Sequence, residues 1–240
     1  YVPAHIQMEG YDVPQYANVQ YPWEGHEEIN PGEIPTHFNP TASYVKYFTV
    51  PEQMQGKRLF ISFQGAESGL ALWLNGKFVG YSEDSFTPSE FELTEYVKEG
   101  ENKLAAQVFK WTASSWCEDQ DFYRFSGIYR DVYLYTVPEV HVNDLRIRAI
   151  PDASLASADF ELTTKTWGKG QLKIVLSKEG NVVLEDVKEI SDEDTFSWKV
   201  DAPVLWSAED PQLYDLELTV SDENGNVQEI NSAESRIPSF

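Results

Sequence analysis

LALWLNGKFVGYS, residues 70–82, reads as a β-hairpin, and that reading decides the fold of the first half of the chain. Leu70, Leu72 and Leu74 alternate onto one face, while Asn75-Gly76 supplies the positive-φ pair that a two-residue turn requires. Alternation continues outward on both sides. SYVKYFTV (43–50) and RLFISF (58–63) precede the hairpin as strands. FELTEYVKEGENKLAAQVFKW (91–111) follows as strand, short turn and strand, with Gly100 ending the turn and Leu104, Ala106 and Val108 on one face. YRDVYLYT (129–136) closes the series. The first 40 residues, rich in Pro and Tyr and without periodicity, predict an irregular arm wrapped over a surface. Long strands with wide connections predict a jelly-roll β-sandwich over residues 1–137.

Beyond Val137-Pro138 the texture changes to fewer aromatics, shorter alternating runs and regularly spaced turns. Strands are predicted near 144–150, 156–166, 171–177, 182–188, 195–200 and 213–220, with hairpin loops at 178–181 and 223–226. This pattern predicts an immunoglobulin-like β-sandwich over residues 138–240, without the usual disulfide because Cys117 is the only cysteine. No amphipathic helix of three turns is readable anywhere. The predicted fold class is all-β.

Composition narrows the function classes. With 41% apolar and 14% aromatic residues, the 240-residue chain can bury substantial cores. Eighteen Lys and Arg against 40 Asp and Glu give a formal charge of −22, which argues against nucleic acid and against anionic membranes. No apolar run is long enough to span a bilayer. The opening YVPAHIQMEGYDVPQY is polar, interrupted by prolines and lacks an initial Met, so a fragment of a longer, cytoplasmic protein is expected rather than a secreted one. His5, His26, His37 and His141 fall at no metal-ligand spacing, and a lone Cys excludes a thiolate zinc site.

The chemistry concentrates in EDQDFYRFSGIYRDV, residues 118–132. Acids beside flat rings suit a sugar, whose hydroxyls meet carboxylates and whose C–H faces meet rings. Glu118, Asp119 and Asp121 have the residue type for a glycosidase acid or nucleophile. The competing reading pairs two of them with Arg124 and Arg130 or has them cap a loop, and coordination of a hard cation by one is the third. Among the tryptophans, Trp23 and Trp116 are the candidates for sugar stacking, the others sitting in alternating core-like runs.

That stretch resembles the corresponding run of the large bacterial β-galactosidases of glycoside hydrolase family 2. VPAHIQMEGYDVPQYANVQYP (2–22), LWLNGKFVGYSEDSFTPSEFELTEYVKEGENKLAAQVFKW (72–111) and APVLWSAEDPQLYDLELTV (202–220) resemble further family segments in the same order. The resemblance implies that Asn18, from the Asn-Val-x-Tyr-Pro run, reaches into a galactosyl pocket. It implies that Asp121, the second Asp of Glu-Asp-Gln-Asp, binds a galactose hydroxyl and a sodium ion. The family's catalytic glutamates and magnesium ligands lie on a following barrel, so no carboxylate here is expected to be catalytic. A barrel partner and a homo-oligomer are implied for the intact enzyme. Phe122, Tyr123 and Phe125 are expected to form an exposed apolar patch facing that barrel. Residues 231–240 depart from the family's usual Gly-Phe-Arg strand, so an altered tail is expected there. A freestanding carbohydrate-binding module and a purely structural scaffold are the alternative readings.

Overall fold

In the computed structural model, which describes residues 1–118 and 121–239, Asn75 and Gly76 take φ values of 53° and 82° and turn the chain through the hairpin. Asn75 also ties the turn to the neighbouring strand. Its side chain donates to Asn102 Oδ1 at 2.8 Å and to Tyr96 O at 2.9 Å, and accepts from the Lys103 amide at 3.0 Å. The chain forms two compact units, Tyr1–Thr136 and the residues from Val137 onward.

The first unit contains β1 (Gln15–Ala17), β2 (Thr41–Thr49), β3 (Arg58–Phe63), β4 (Ala66–Glu67), β5 (Gly69–Leu74), β6 (Lys77–Ser82), β7 (Ser89–Glu92) and β8 (Glu101–Phe109). A single helical turn, α1 (Ser115–Glu118), then leads to β9 (Phe122–Arg124), β10 (Gly127–Ile128) and β11 (Val132–Val137). A four-stranded sheet runs β2-β8-β5-β6 and a three-stranded sheet runs β11-β3-β7, with short ladders β1-β9 and β4-β10 beside them. The two larger sheets share one core. Leu59, Ile61 and Phe63 of β3 meet Leu70, Leu72 and Leu74 of β5 and Ala106 and Val108 of β8. Alternation made these strands, and burial of the alternate face holds the sandwich together.

The second unit consists of β12 (His141–Pro151), β13 (Ser157–Lys178), β14 (Asn181–Asp201), β15 (Tyr214–Asp222) and β16 (Val227–Ser235). Here the strand boundaries differ from those expected. The runs 156–166 and 171–177 belong to one 22-residue strand, and 182–188 and 195–200 belong to one 21-residue strand. The physical reason is a bulge in place of a break. Gly168, at φ +81°, lies where the β13–β14 register shifts between Thr166 and Lys169. On one side of it β13 pairs with β12 and the end of β14; on the other it pairs with the start of β14 and with β15. The strand therefore changes neighbours without ending, and the sheet curls around its own core of Phe160, Leu162, Leu172, Ile174, Leu216 and Leu218.

The tail is also better integrated than its sequence suggests. β16 pairs with β15 over nearly its whole length, and Ile237 beyond it is fully buried. Trp206 N donates to Ile237 O at 2.7 Å and Ser239 N to Trp206 O at 3.0 Å, while Arg236 lies 4.3 Å over the Trp206 ring. Among the described residues no helix is long and apolar enough to cross a membrane.

A Cβ at position 168 would meet the Glu139 carbonyl oxygen at 2.7 Å. Gly168→Ala is expected to destabilise the second unit by about 1–3 kcal/mol, read as a lower midpoint in urea followed by Trp198 and Trp206 fluorescence. An unchanged midpoint would show that the bulge tolerates a side chain.

Candidate functional site

The N-terminal arm is fixed by polar groups that its irregular sequence conceals. Ala4 N donates to Ile128 O at 2.8 Å and Ile6 N to Ser126 O at 2.9 Å. Buried Gln7 bonds Asp12 at 2.8 Å and both the hydroxyl and the amide of Ser126 at 2.9 Å. Lys110, 1% exposed at the end of β8, reaches Asp12 at 2.6 Å and Val13 O at 3.1 Å. Burial pushes the Asp12 carboxyl up, but its bonds to Lys110 and Gln7 outweigh that and hold it below its ordinary value. A buried ammonium needs such a partner, so the arm is latched at Asp12. From there the chain enters β1, which pairs antiparallel with β9 so that Tyr16 faces Tyr123 and Ala17 faces Phe122.

This ladder brings the two residues singled out by the resemblance to one atom. The Tyr16 hydroxyl donates to Asp121 Oδ1, and Asn18 Nδ2 donates to the same hydroxyl at 3.4 Å. The bond to the Asp121 carboxylate pushes the Tyr16 phenol above its ordinary value. Asp121 takes φ +53°, a conformation that Asp tolerates better than most residues. Both Asn18 and Asp121 are exposed. Asn18 lines a cleft of about 670 Å³ with Tyr21, Ser115, Trp116 and Cys117. Asp121 lines one of about 400 Å³ with His5, Glu67, Phe122, Tyr123 and Arg130.

The two candidate tryptophans differ in role. Trp23 is buried, stacked on Tyr21 at 5.3 Å and packed against Trp116 at 4.8 Å, so it is core to the arm. Trp116 is half-buried, lines the Asn18 cleft, and donates its indole N–H to Glu33 O at 2.6 Å. Of the expected apolar patch, Phe122 and Tyr123 are exposed, while Phe125 is half-buried with its ring 4.8 Å from that of His5.

Arg124 organises the acids. Its guanidinium, 1% exposed, contacts Glu67 at 3.1 Å and Glu118 at 3.5 Å. The sequence had offered Arg124 and Arg130 as the partners of the acidic cluster. Arg130 instead donates to the carbonyl oxygens of Phe86 at 2.8 Å and Gln64 at 3.3 Å, although it lines the same cleft as Asp121. The expected loop-holding role of Asp119 falls outside the described residues. Glu67 carries a part of the site that no motif marked, and Lys110 and Tyr16 lie inside family-like segments without having been singled out. Among the described residues no group of three or more His, Cys, Asp and Glu gathers around a metal-sized space.

Residues 1–138 match the family described as "Glycosyl hydrolases family 2, sugar binding domain", and residues 140–235 match "Glycosyl hydrolases family 2". The chain belongs to glycosyl hydrolase family 2. It is similar to a β-galactosidase of Halalkalibacterium halodurans, 52% identical over 235 residues, a match that covers 95% of this chain and 23% of that protein. A β-galactosidase of Clostridium acetobutylicum is 48% identical, over 95% of this chain and 26% of its own length. This family 2 chain therefore spans about a quarter of the length of the curated relatives it matches. A β-glucuronidase structure from Bacteroides uniformis superposes with a TM-score of 0.70 at 23% identity, over 83% of this chain and 26% of that one, which speaks to the shared all-β sandwich fold.

Removing the Arg124 cation would take from buried Glu67 the guanidinium that it meets at 3.1 Å. Arg124→Met is expected to cost about 3–5 kcal/mol of first-unit stability, measured by denaturant unfolding, and a loss under 1 kcal/mol would contradict the buried-pair account. A second expectation concerns the arm. Glu27 accepts from the Thr36, His37 and Phe38 amides, which lower its carboxyl from 4.5 to about 2. With the folded-state value below the unfolded one, its contribution is complete above about pH 4.5 and is lost as pH falls through about 2. Protection factors of the Thr36–Phe38 amides, referred to the intrinsic exchange rate at each pH, should fall across that window, and Glu27→Gln should remove that fall.

Proposed function

We propose that this chain is the N-terminal, non-catalytic region of a retaining β-galactosidase, which hydrolyses terminal β-D-galactosyl residues such as that of lactose. Its part is to supply one wall of the galactosyl subsite and to support the catalytic barrel. The observation that carries this reading is the convergence of Asn18 and Asp121 on one hydroxyl, at the rim of two clefts. An amide and a carboxylate held together offer a sugar both acceptors and a donor. The kinship with proteins named β-galactosidase supports the choice of sugar.

In a retaining glycosidase one carboxyl attacks the anomeric carbon and a second acts first as acid and then as base. Those two groups are assigned to the barrel, so the chain alone is expected to hydrolyse no galactoside. Contacts from Asn18 and Asp121 to sugar hydroxyls would assist by tightening in the transition state. Asp121 also fits a hard cation: it is an exposed residue, and its Oδ2 accepts no hydrogen bond among the described residues. A sodium ion held there would neutralise the carboxylate and orient a sugar hydroxyl. One protein oxygen is not a cage, so the remaining ligands are assigned to the barrel, as are those for magnesium.

The test begins with the gene beyond codon 240 and the full-length protein that it encodes. Asp121→Asn in that protein is expected to lower kcat/KM for a nitrophenyl β-galactoside by about 10–100-fold, the loss of a charge-assisted hydrogen bond, and to blunt activation by sodium. Wild-type kinetics with a wild-type sodium response would refute the assignment. A stop codon or wall anchor in place of a barrel would favour the freestanding binding module.

A further inference from the structure

Tyr16 stands between Asn18 and Asp121 and bonds both, yet the resemblance gave it no role. Its ring is held by the β1–β9 ladder, where it faces Tyr123 at 5.1 Å and 43°, next to buried Ala17. The hydroxyl position is thus set by paired backbone. Neither partner is held as firmly. Asp121 lies in a left-handed turn just before β9, and Asn18 is the first residue after β1. Among the described residues the Tyr16 hydroxyl is the only hydrogen-bond partner of either side chain.

Proton polarity follows from that arrangement. A phenol has one proton to donate, and it goes to the charged oxygen, Asp121 Oδ1. The amide can then meet the phenol oxygen only through its NH₂ group, which leaves Asn18 Oδ1 free. Asp121 Oδ2 accepts no hydrogen bond among the described residues. A phenol keeps its proton through the neutral range, and the bond to Asp121 pushes the Tyr16 hydroxyl further in that direction.

We infer that Tyr16 is a positioning residue of this subsite: it fixes Asn18 and Asp121 at one spacing, with an acceptor oxygen left open on each, to receive two hydroxyls of one pyranose. The inference rests on the galactoside-subsite reading above. It places part of the sugar selectivity in a residue that acts through its neighbours.

The experiment is a double-mutant cycle in the full-length protein, with kcat/KM for nitrophenyl β-D-galactoside as the readout. Tyr16→Phe keeps the ring contact with Tyr123 and removes only the hydroxyl, so the melting temperature should stay at the wild-type value. Its kcat/KM should fall about tenfold. If Tyr16 acts through Asp121, Tyr16→Phe added to Asp121→Asn should cost no more than about a further twofold. Two outcomes overturn the positioning role: wild-type kinetics in Tyr16→Phe while Asp121→Asn is impaired, or losses that multiply fully in the double variant. Wild-type kinetics in both Asn18→Ala and Asp121→Asn would instead overturn the subsite reading itself, and this inference with it.

Discussion

A guanidinium shut away from water must be met by carboxylates, and in the first unit that requirement falls on Arg124. Its contacts with Glu67 of β4 and Glu118 of α1 join three short elements that bury little apolar area of their own. Short strands cannot hold their register by hydrophobic patterning, because too few side chains reach the core. A buried ion pair gains little net stability over an apolar packing, but it punishes every arrangement that leaves a charge alone. Lys110 and Asp12 impose the same condition on the arm. In a chain of 40 acidic and 18 basic residues, two basic side chains are buried along this one edge. The site inherits its geometry from them.

The division of labour between sandwich and edge explains where polar chemistry sits. The sheets that share the core of Leu59, Leu72 and Val108 form a rigid base. On it rest the β1–β9 ladder and the α1 turn, which are polar, aromatic and partly exposed. Loops positioned by a rigid scaffold are the usual home of ligand contacts. Here the loop residues gain further definition from ring packing, with Tyr21, Trp23 and Trp116 forming one cluster of which Tyr21 and Trp116 line the Asn18 cleft.

Much of the scaffold could be read directly. Leu70, Leu72 and Leu74 alternate over a long strand, and Asn75-Gly76 admits few backbone conformations, so periodicity and turn chemistry agreed. The β1–β9 pair was not legible, since three residues a side carry no detectable period. The second unit misled for a different reason. Polar residues around Gly168 and near 189–194 look like turns, yet the backbone stays paired through a bulge, and sequence alone does not separate a bulge from a break. Site residues followed the same logic. Asn18 and Asp121 stood in recognisable motifs, whereas Tyr16 became visible only when pairing placed its ring against Tyr123. Glu67 lay in the gap between the strands read at 58–63 and 70–82, and its partner Arg124 is 57 positions away.

The long β13–β14 pair bears on how the second unit reaches its fold. Its 22- and 21-residue strands are joined by only Glu179 and Gly180, both at positive φ. Closing a two-residue loop costs little chain entropy, and pairing can then propagate from that end one rung at a time. Sandwiches usually fold slowly because their layers must be assembled from distant segments. In this unit a single ribbon runs through the bulge and contributes to both sides of the curl, so one local nucleus can template the whole. β12, β15 and β16 then have a finished surface on which to dock.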